Sequence, residues 1–531
     1  MDLPDSKMEA HASKILTIAS RIKTFHAANQ KFRISHGSTN STRNQSFRDK
    51  QNIIDTSGLT GILEVNPSKK TILVGANVPM DRLVEATLAH NLIPPVVADF
   101  PGITVGGGYS GTTGESSSYK HGFFDRTVTR VEMILGTGEI VYLSETENQD
   151  LFRGAAGSLG TLGVVTLLEI SLVEAKRFVE VVYHPVRSIG EAVAKCKEET
   201  SGEKGERNDY VDGILFSPTS GFIITGRRVQ DAEKGSPIRR FSGRKDPWFY
   251  MHVQSLLSKT SSSPQNQDNG ESGGVIKEFF PLPEYLFRYD RGSFWTGRSL
   301  FTMTSWLPFN PFTRYLLDDF CKTRMLYAAM HSQPINIMIL HDCGVPYPSA
   351  ENFIEWAGEC TGIWPVWLCP LKQSPRPTLH PHLKDGDDGE EEAGILNVGI
   401  WGAPRGGGDV GEYLRENEEL EGRLKGIGGL KWLYSPQWAE EEEFYKQFNR
   451  KWYEDLRTKY SATRLPTIYD KARTDPGELQ RKLDGMTWRD VRPAFFPGWM
   501  LHCCRKAWVS GQWRAGRKAT WMEWVGRGKG E

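Results

Sequence analysis

The chain has 531 residues, and its 65 basic side chains balance its 65 acidic ones, so the formal net charge is zero. This balance provides no global electrostatic field that would favour nucleic acid, so we expect no nucleic-acid partner. The length exceeds what one hydrophobic core can organise, which predicts two or three domains.

The N-terminal sequence MDLPDSKMEAHASKILTIASRIKTF lacks the apolar region of a signal peptide. No stretch approaches the ~18 consecutive apolar residues of a membrane-spanning helix. Seven cysteines occur, none before Cys196 and none in a C-x-x-C pair, which is typical of reduced thiols in an intracellular protein. We therefore expect an intracellular protein, soluble or peripherally attached to a membrane, with no bound metal.

The first third of the chain alternates short strands with single helices. Apolar residues at helical spacing predict an amphipathic helix over Met8–Gln30, and MDRLVEATLAHNLIPP predicts a second helix ended by the double proline. ILEVNPSKKTILVG predicts two strands joined at Asn66-Pro67, and TVTRVEMILGTGEIVYL predicts a hairpin turning at Thr137-Gly138. This order indicates an α+β fold.

The character changes at Phe178, where FVEVVYHPV predicts a strand, SIGEAVAKCKEET a helix and VDGILFSPTSGFIITGRRV a hairpin. We predict domains over 1–175 and 176–475, with mobile polar loops at about 255–274 and 376–393. Residues 476–531 form a tail rich in tryptophan and basic residues. That composition is typical of an interfacial membrane segment, and the alternative is a poorly ordered tail that packs a few tryptophans.

The stretch TVGGGYSGTTGESSSYKHG, from Thr104 to Gly122, is the strongest local signal. It contains G-x-G-x-x-G, but no helix pattern follows, which argues against a Rossmann fingerprint. A long loop with free backbone N–H groups can instead wrap an extended anion. SHGSTNST (35–42) and GAAGSLGTLG (154–163) have similar composition. Three such loops suit a long ligand with a central pyrophosphate, and the alternative is that each is an ordinary turn.

Longer segments around these loops resemble a known FAD-binding domain, that of the vanillyl-alcohol-oxidase or p-cresol methylhydroxylase (PCMH) type: ILEVNPSKKTILVGANVP, LGTGEIVYLS and DLFRGAAGSLGTLGVVTLLEISLV. GTTGESSSYKHG, DPWFYMHV, WPVWLCP, NVGIWGAPR, KWLYSPQWAEEEEFYKQF and LPTIYDKAR are similar to the Δ24-sterol reductase (Diminuto/seladin) family. The resemblance spans about residues 8–473. It implies a two-subdomain PCMH-type FAD-binding domain, then an α+β substrate (cap) domain with an antiparallel sheet whose C-terminal part returns to the first domain.

The resemblance also implies the cofactors FAD and NADPH. The residues that it implies for FAD binding are His36, Ser38, Thr39, Asn40, Pro101, Gly102, Ile103, Thr104, Val105, Gly106, Gly107, Gly108, Gly111, Thr112, Gly114, Glu115, Ser116, Ser117, Ser118, His121, Gly122, Gly163 and Val164. His36 could be a covalent attachment point for the flavin, as a histidine is in some relatives of this fold, but we expect it to be a non-covalent neighbour of the flavin. The family further implies peripheral association with the endoplasmic reticulum, as an alternative to a cytoplasmic location.

The implied reaction reduces the Δ24 side-chain double bond of a sterol or other isoprenoid-tailed lipid with NADPH. Such a double bond is not electrophilic, so the site needs a general acid in a dry pocket with aromatic walls. Candidate catalytic residues are Glu115, Lys120, His121, Tyr469 and Lys471, with Tyr289, Asp290, Arg291 and Trp295 in a matching segment. Each could instead be a satisfied structural group. The alternatives are an FAD oxidase of an alcohol or secondary metabolite, and a flavin-free protein that has kept the fold.

Overall fold

A computed structural model of the chain describes residues 4–37, 42, 52–261, 275–298, 301, 307–331, 338–383, 394–405, 410–485 and 505–524. The α-helices span Pro4–Ala27, Met80–Leu88, Val105–Ser110, Ser118–His121, Gln149–Ala155, Ile189–Glu199, Gly202–Arg207, Phe249–Ser261, Leu282–Leu286, Pro311–Leu316, Thr323–Met330, Tyr347–Thr361, Val410–Gly426, Glu441–Tyr445, Arg450–Lys459, Ile468–Ala472, Pro476–Asp484 and Gln512–Arg517. The predicted α+β class is confirmed.

The strands fall into two large antiparallel sheets and two small pairs. In chain order they are β1 (Arg33–Ser35), β2 (Ile53–Asp55), β3 (Ile62–Asn66), β4 (Thr71–Gly75), β5 (Leu92–Ile93), β6 (Val128–Ile134), β7 (Ile140–Leu143), β8 (Val164–Ser171), β9 (Val173–Glu174), β10 (Phe178–Val186), β11 (Tyr210–Ser217), β12 (Ser220–Val229), β13 (Ile276–Pro281), β14 (Ile339–Pro346), β15 (Val366–Leu371), β16 (Ile395–Gly402) and β17 (Leu430–Lys431).

The first large sheet has the order β3-β4-β8-β6-β7, and all its pairs are antiparallel. The predicted hairpin is confirmed: β6 pairs with β7, and Gly138 takes the positive φ of 83° that the turn requires. The N-terminal helix packs on this region by burying Ile15, Ile22 and Phe25, which lie at the predicted helical spacing.

The second large sheet has the order β13-β10-β12-β11-β15-β16-β14-β17 and is antiparallel throughout. Trp367 of β15 and Asp342 of β14 both lie opposite Gly399 of β16, so they share one face. Ile214 lies opposite Trp367, which places Asp212, two residues away, on that face too. We call this side, with Trp401, the inner face of the sheet.

The C-terminal part of the second segment contacts the first. Tyr453 Oη donates to Thr161 Oγ1 at 2.8 Å, and Arg457 donates to the Thr161 carbonyl at 2.8 Å. Arg464 donates to Asn29 Oδ1 at 2.8 Å. These bonds connect residues 453–464 to the segment before residue 175, while the predicted domain limits themselves stay predictions.

The two polar segments predicted as mobile loops contain ordered structure where they are described. Residues 255–261 continue the helix Phe249–Ser261. In the second segment, His380 is buried and its Nε2 lies 2.9 Å from Asp125 Oδ1. A hydrogen bond to a carboxyl group therefore anchors residues 376–383, a contact that polar composition alone does not reveal. Residues 262–274 and 384–393 lie outside the described residues.

The described part of the C-terminal tail packs on the protein. Trp521 is buried against Phe287, with ring centroids 4.9 Å apart, and Glu85 Oε1 accepts hydrogen bonds from the backbone N–H groups of Thr520 and Trp521 at 2.5 and 3.1 Å. Trp508 remains exposed. Within the described ranges, no helix combines the length and apolar character needed to cross a bilayer.

Candidate active site

Parts of the three glycine- and hydroxyl-rich segments meet in the structure. The third segment hydrogen-bonds to the second through Gly157 N to Tyr109 O (3.1 Å) and Leu159 N to Ser110 O (2.9 Å). The residue just before the first segment, Ile34, lies next to the third, since a Cβ added at Gly160 would lie 3.3 Å from Ile34 Cδ1. We call residues 34–37, 104–118 and 157–163 the cradle.

The central segment is not the extended loop that its composition predicts. Residues Val105–Ser110 form a short helix, whose N-terminus is capped by Thr104 Oγ1 accepting from Gly107 N at 3.1 Å. The glycines permit close packing: a Cβ added at Gly106 would lie 2.9 Å from both Cβ and O of Ala76. Tertiary packing therefore overrides the low helix propensity of three consecutive glycines.

Gly106→Ala should reduce cofactor binding, because the added methyl collides with Ala76 and shifts the helix of the cradle. Overpacking of this kind costs about 1–3 kcal/mol, which corresponds to about 5-fold to 150-fold in affinity. The measurement is the amount of bound chromophore per protein and its dissociation constant. Gly58→Ala is the matched control, since nothing lies within 4 Å of a Cβ there, and equal losses in both variants would contradict the explanation.

A buried ionic cluster adjoins the cradle. Arg288 donates to Asp99 Oδ1 at 3.3 Å, to Ser116 Oγ at 3.3 Å and to Asp212 Oδ2 at 2.8 Å. Glu115, half-buried, accepts from the backbone N–H of Asp99 at 3.2 Å. One guanidinium therefore faces three carboxyl groups, and Asp212 joins this cluster to the inner face of the sheet.

Two carboxyl groups in this cluster, Asp99 and Glu115, have raised pKa values. Burial raises the pKa of Asp99 to about 6, against the opposing charge of Arg288. Burial, and then the charge of Asp99, raise the pKa of Glu115 well above its ordinary value. Two carboxyl groups this close cannot both ionise readily, so the Glu115–Asp99 pair retains a shared proton above the ordinary carboxyl range.

Aromatic side chains form a wall beside the acids. Phe294 is the centre of this wall, with ring centroids 3.9 Å from Tyr289, 4.4 Å from Trp401 and 5.2 Å from Trp367. Phe100, next to Asp99, lies 5.8 Å from Phe294. The wall is tied to the acids, because Tyr289 Oη and Trp367 Nε1 donate to Asp212 at 2.7 and 3.1 Å. Such faces exclude water and stabilise developing positive charge.

A second protonatable acid, Asp342, lies on the inner face. Tyr434 Oη donates to its Oδ2 at 2.9 Å, and burial raises the pKa of Asp342 to about 7. The loop after β17, which contains Tyr434, also contacts the first and second segments. Trp432 Nε1 donates to Thr112 O at 3.0 Å, and Thr42 N donates to Tyr434 O at 3.2 Å. The inner face and the cradle therefore border one site that contains several acids.

Comparison with known proteins gives the family. A model described as an FAD binding domain matches residues 8–144. The Δ24-sterol reductase of Arabidopsis thaliana is 30% identical over 443 residues, which cover 77% of this chain and 74% of that protein. The chain belongs to the Δ24-sterol reductase family. The human Δ24-sterol reductase is 29% identical over 432 residues, covering 78% of this chain and 76% of its own, and the Caenorhabditis elegans homologue is 25% identical and covers 88% of each chain.

Family membership confirms the predicted resemblance, and with the FAD domain it makes the chain an FAD-dependent oxidoreductase. The cradle fits FAD, because three segments of small and hydroxyl-bearing residues meet as an extended dinucleotide requires. Lys471, whose Nζ donates to Leu159 O at 2.5 Å, adds a cation beside the third segment. Ser116, Ser117 and Ser118 are buried in the second segment.

The other predicted cofactor residues are distributed around the cradle. His36 follows β1 and is half-buried, whereas Ser38, Thr39 and Asn40 lie outside the described residues. Arg324 donates to Pro101 O at 2.9 Å, which fixes the entry to the central segment. Gly163, at the start of β8 with Val164, is packed against Met133, whose Sδ would lie 2.4 Å from an added Cβ.

The predicted catalytic residues do not all come together. Glu115 belongs to the acid cluster, but Lys120 is exposed and its Nζ donates to the carbonyls of Glu206 and Asn208 at 2.7 and 3.1 Å. Burial, and then Arg228, lower the pKa of His121 to about 4. Tyr469 packs on Phe444, with centroids 5.4 Å apart. Lys120, His121 and Tyr469 therefore make structural contacts away from the acids, whereas Lys471 lies beside the third segment.

Four further candidates lie in residues 289–295, a segment that resembles the family. Tyr289 and Trp295 belong to the aromatic wall, and Trp295 Nε1 donates to Trp401 O at 2.9 Å. Asp290 accepts from Thr323 N at 3.1 Å, and Arg291 pairs with Asp318 at 2.7 Å in a buried bridge. Asp290 and Arg291 therefore make structural contacts, which is the alternative that the sequence analysis left open for each of them.

The sequence analysis missed four charged residues of the site: Asp99, Asp212, Arg288 and Asp342. A usable signal was present for two of them, because Asp212 lies in YVDGILF and Asp342 in ILHDCGV, each a single acid within an apolar strand. Charged side chains are rarely buried unless they are paired or functional. A search for isolated acids inside apolar stretches would have found both.

Proposed function

We propose that the protein reduces the Δ24 side-chain double bond of a sterol or sterol-like lipid, with NADPH as electron donor. The carrying observation is that Glu115, whose pKa is raised well above its ordinary value, lies beside the cradle and is hydrogen-bonded to Asp99, which adjoins the aromatic wall through Phe100. Reduction of an isolated double bond requires an acid, whereas oxidation of an alcohol requires a base. A raised carboxyl pKa therefore favours the reductase over the oxidase alternative.

In the proposed reaction, NADPH loses a hydride and becomes NADP⁺, and the double bond gains that hydride and one proton. FAD, when bound, supplies the two-electron carrier between donor and lipid. Glu115 gives its proton to one alkene carbon, while the wall around Phe294 stabilises positive charge at the other. Asp99, anionic beside Arg288, then shares the next proton that the pair takes from solvent.

The remaining parts of the proposal concern location and attachment. The substrate is a lipid, so the protein meets it by peripheral contact with a membrane, which we place at the endoplasmic reticulum. FAD is held without a covalent bond, with His36 as its neighbour. Support for the lipid comes from the names of the relatives and from the apolar wall beside the acids.

The test is anaerobic mixing of the flavin-loaded protein with NADPH and a sterol carrying a Δ24 double bond. We expect the flavin absorbance to bleach with NADPH and to return when the sterol is added, with saturated product formed in equal amount. A flavin that NADPH does not reduce would overturn the proposal. Rapid oxygen consumption with an alcohol substrate, and no saturated sterol, would establish the oxidase instead.

Glu115→Gln should slow the sterol-dependent return of flavin absorbance about 10²–10⁴-fold, the usual contribution of a general acid. Reduction by NADPH should be nearly unchanged, because that step does not use the proton of Glu115. Asp342→Asn is the matched comparison, since it removes a protonatable acid outside the Glu115–Asp99 pair. If the Asp342 variant alone loses the sterol step, Glu115 is not the donor.

A further inference from the structure

The helix Pro311–Leu316 exposes its apolar side chains to solvent and buries a polar one. Phe312, Tyr315 and Leu316 have i, i+3, i+4 spacing and are 68%, 42% and 56% exposed, whereas Thr313 between them is buried. An apolar helix stripe normally faces the core, because burial of its side chains stabilises the fold. Here the stripe contributes little to the core, and exposed apolar stripes mark interaction sites.

Hydrogen bonds fix this orientation, so the exposure of the apolar side chains does not come from fraying of the helix end. Asn310 Oδ1 accepts from the backbone N–H groups of Phe312 and Thr313, each at 3.0 Å, which forms a capping box with the Thr313 side chain. Thr313 Oγ1 also donates to Pro308 O at 2.6 Å. The helix is therefore held with its apolar stripe outward.

The C-terminal segment carries a second exposed apolar group. Trp508 and Val509 are 48% and 74% exposed. The Trp508 ring stacks on that of Trp513 at 4.0 Å, and Trp513 Nε1 donates to Asp319 Oδ2 at 3.4 Å. Asp319 lies three residues after Leu316, so one short chain of contacts connects the two apolar groups.

Basic side chains accompany this surface. Residues 505–524 carry four exposed cations, Arg505, Lys506, Arg514 and Lys518, and the only acidic residue in this segment is Glu523. Arg517 is a fifth cation, paired with Asp319 at 3.2 Å. Tryptophan, tyrosine and aliphatic side chains next to cations match the interfacial zone and anionic headgroups of a bilayer.

We propose that Phe312, Tyr315, Leu316, Trp508 and Val509, with these cations, form a docking face for an anionic lipid bilayer. The apolar side chains enter the headgroup zone, and the cations bind acidic headgroups. This proposal deepens the proposed function, because it names the surface by which a lipid-reducing enzyme reaches its substrate. A bilayer is favoured over a second copy of the chain, since like charges on two such faces would repel.

The experiment is co-sedimentation of the full chain with phosphatidylcholine vesicles, with and without about one third phosphatidylserine. We expect preferential binding to the anionic vesicles that weakens as salt is added. The double variants Phe312→Ser/Leu316→Ser and Trp508→Ser/Val509→Ser should each lower the partition coefficient about tenfold or more. Ile238→Ser is the matched control, since Ile238 is 51% exposed on a different element and should have no effect.

Three results would overturn the docking face: no vesicle binding, equal loss in the Ile238 control, or a concentration-dependent dimer that the same double variants abolish. A readout separate from binding distinguishes this proposal from the proposed function. Sterol delivered from cyclodextrin should be reduced equally by wild type and variants, whereas sterol delivered in anionic vesicles should be reduced more slowly by the variants. If cyclodextrin-delivered sterol is not reduced by wild type, the proposed function fails while the vesicle-binding result still decides the docking face.

Discussion

Replacing Arg288 by methionine will destabilise the folded protein by about 3–5 kcal/mol, the usual effect of removing one partner of a buried ion pair. Arg288 is almost fully buried, and its guanidinium bonds to Asp99, Asp212 and Ser116. Without it, two carboxylates remain in a dry site with no positive charge near them. Urea unfolding, followed by tryptophan fluorescence, measures the free energy of unfolding at neutral pH.

The double variant Arg288→Met/Asp212→Asn separates charge imbalance from lost packing. Because Asp212 is the partner bonded at 2.8 Å, its neutralisation should recover a large part of the loss, giving a coupling energy of about 1–3 kcal/mol. Arg288→Lys should recover little, since a lysine cannot bond Asp99, Asp212 and Ser116 at the same time. A single variant as stable as wild type would show that the cluster is not ionised in the folded protein.

This cluster also shows what the sequence could not reveal. Local patterns predicted the hairpin at Gly138, the N-terminal helix and the α+β class, because turn chemistry and hydrophobic spacing act within a few residues. Arg288 and Asp99, by contrast, are 189 positions apart, and Arg288 and Asp212 are 76 apart. No local pattern specifies which buried acid meets which cation.

The cradle was only partly predictable from local sequence patterns. Composition identified its three segments, and the structure brings together the parts of them that it describes. Composition did not predict the helix Val105–Ser110, because it forms through packing on Ala76 and the cap from Thr104, both tertiary or conformational effects. The outward stripe of Phe312 was also missed, since apolar spacing alone does not say which side of a helix faces the core.

Asp342→Asn should stabilise the protein at pH 8 and leave it nearly unchanged at pH 4. The pKa of Asp342 rises on folding from its ordinary 3.8 to about 7, with burial as the main cause. Between these values the folded state binds more protons than the unfolded state, so stability falls as pH rises. The shift corresponds to at most about 4 kcal/mol, lost by pH 8. Asparagine cannot ionise, so the variant avoids this loss.

Asp209→Asn is a control in which the pH dependence of stability should have the opposite sign. The ion pair of Asp209 with Arg228 helps to hold the pKa of Asp209 below its ordinary value, although burial opposes it. A lowered pKa gives stability that is present above the unfolded value and lost in acid, so this variant should be destabilised at pH 7 and less so near pH 3. Urea unfolding of both variants across pH 3–8 measures the two slopes. Parallel pH profiles for Asp342→Asn and wild type would mean that Asp342 does not retain its proton, because an ordinary carboxyl in the fold leaves no slope above pH 5.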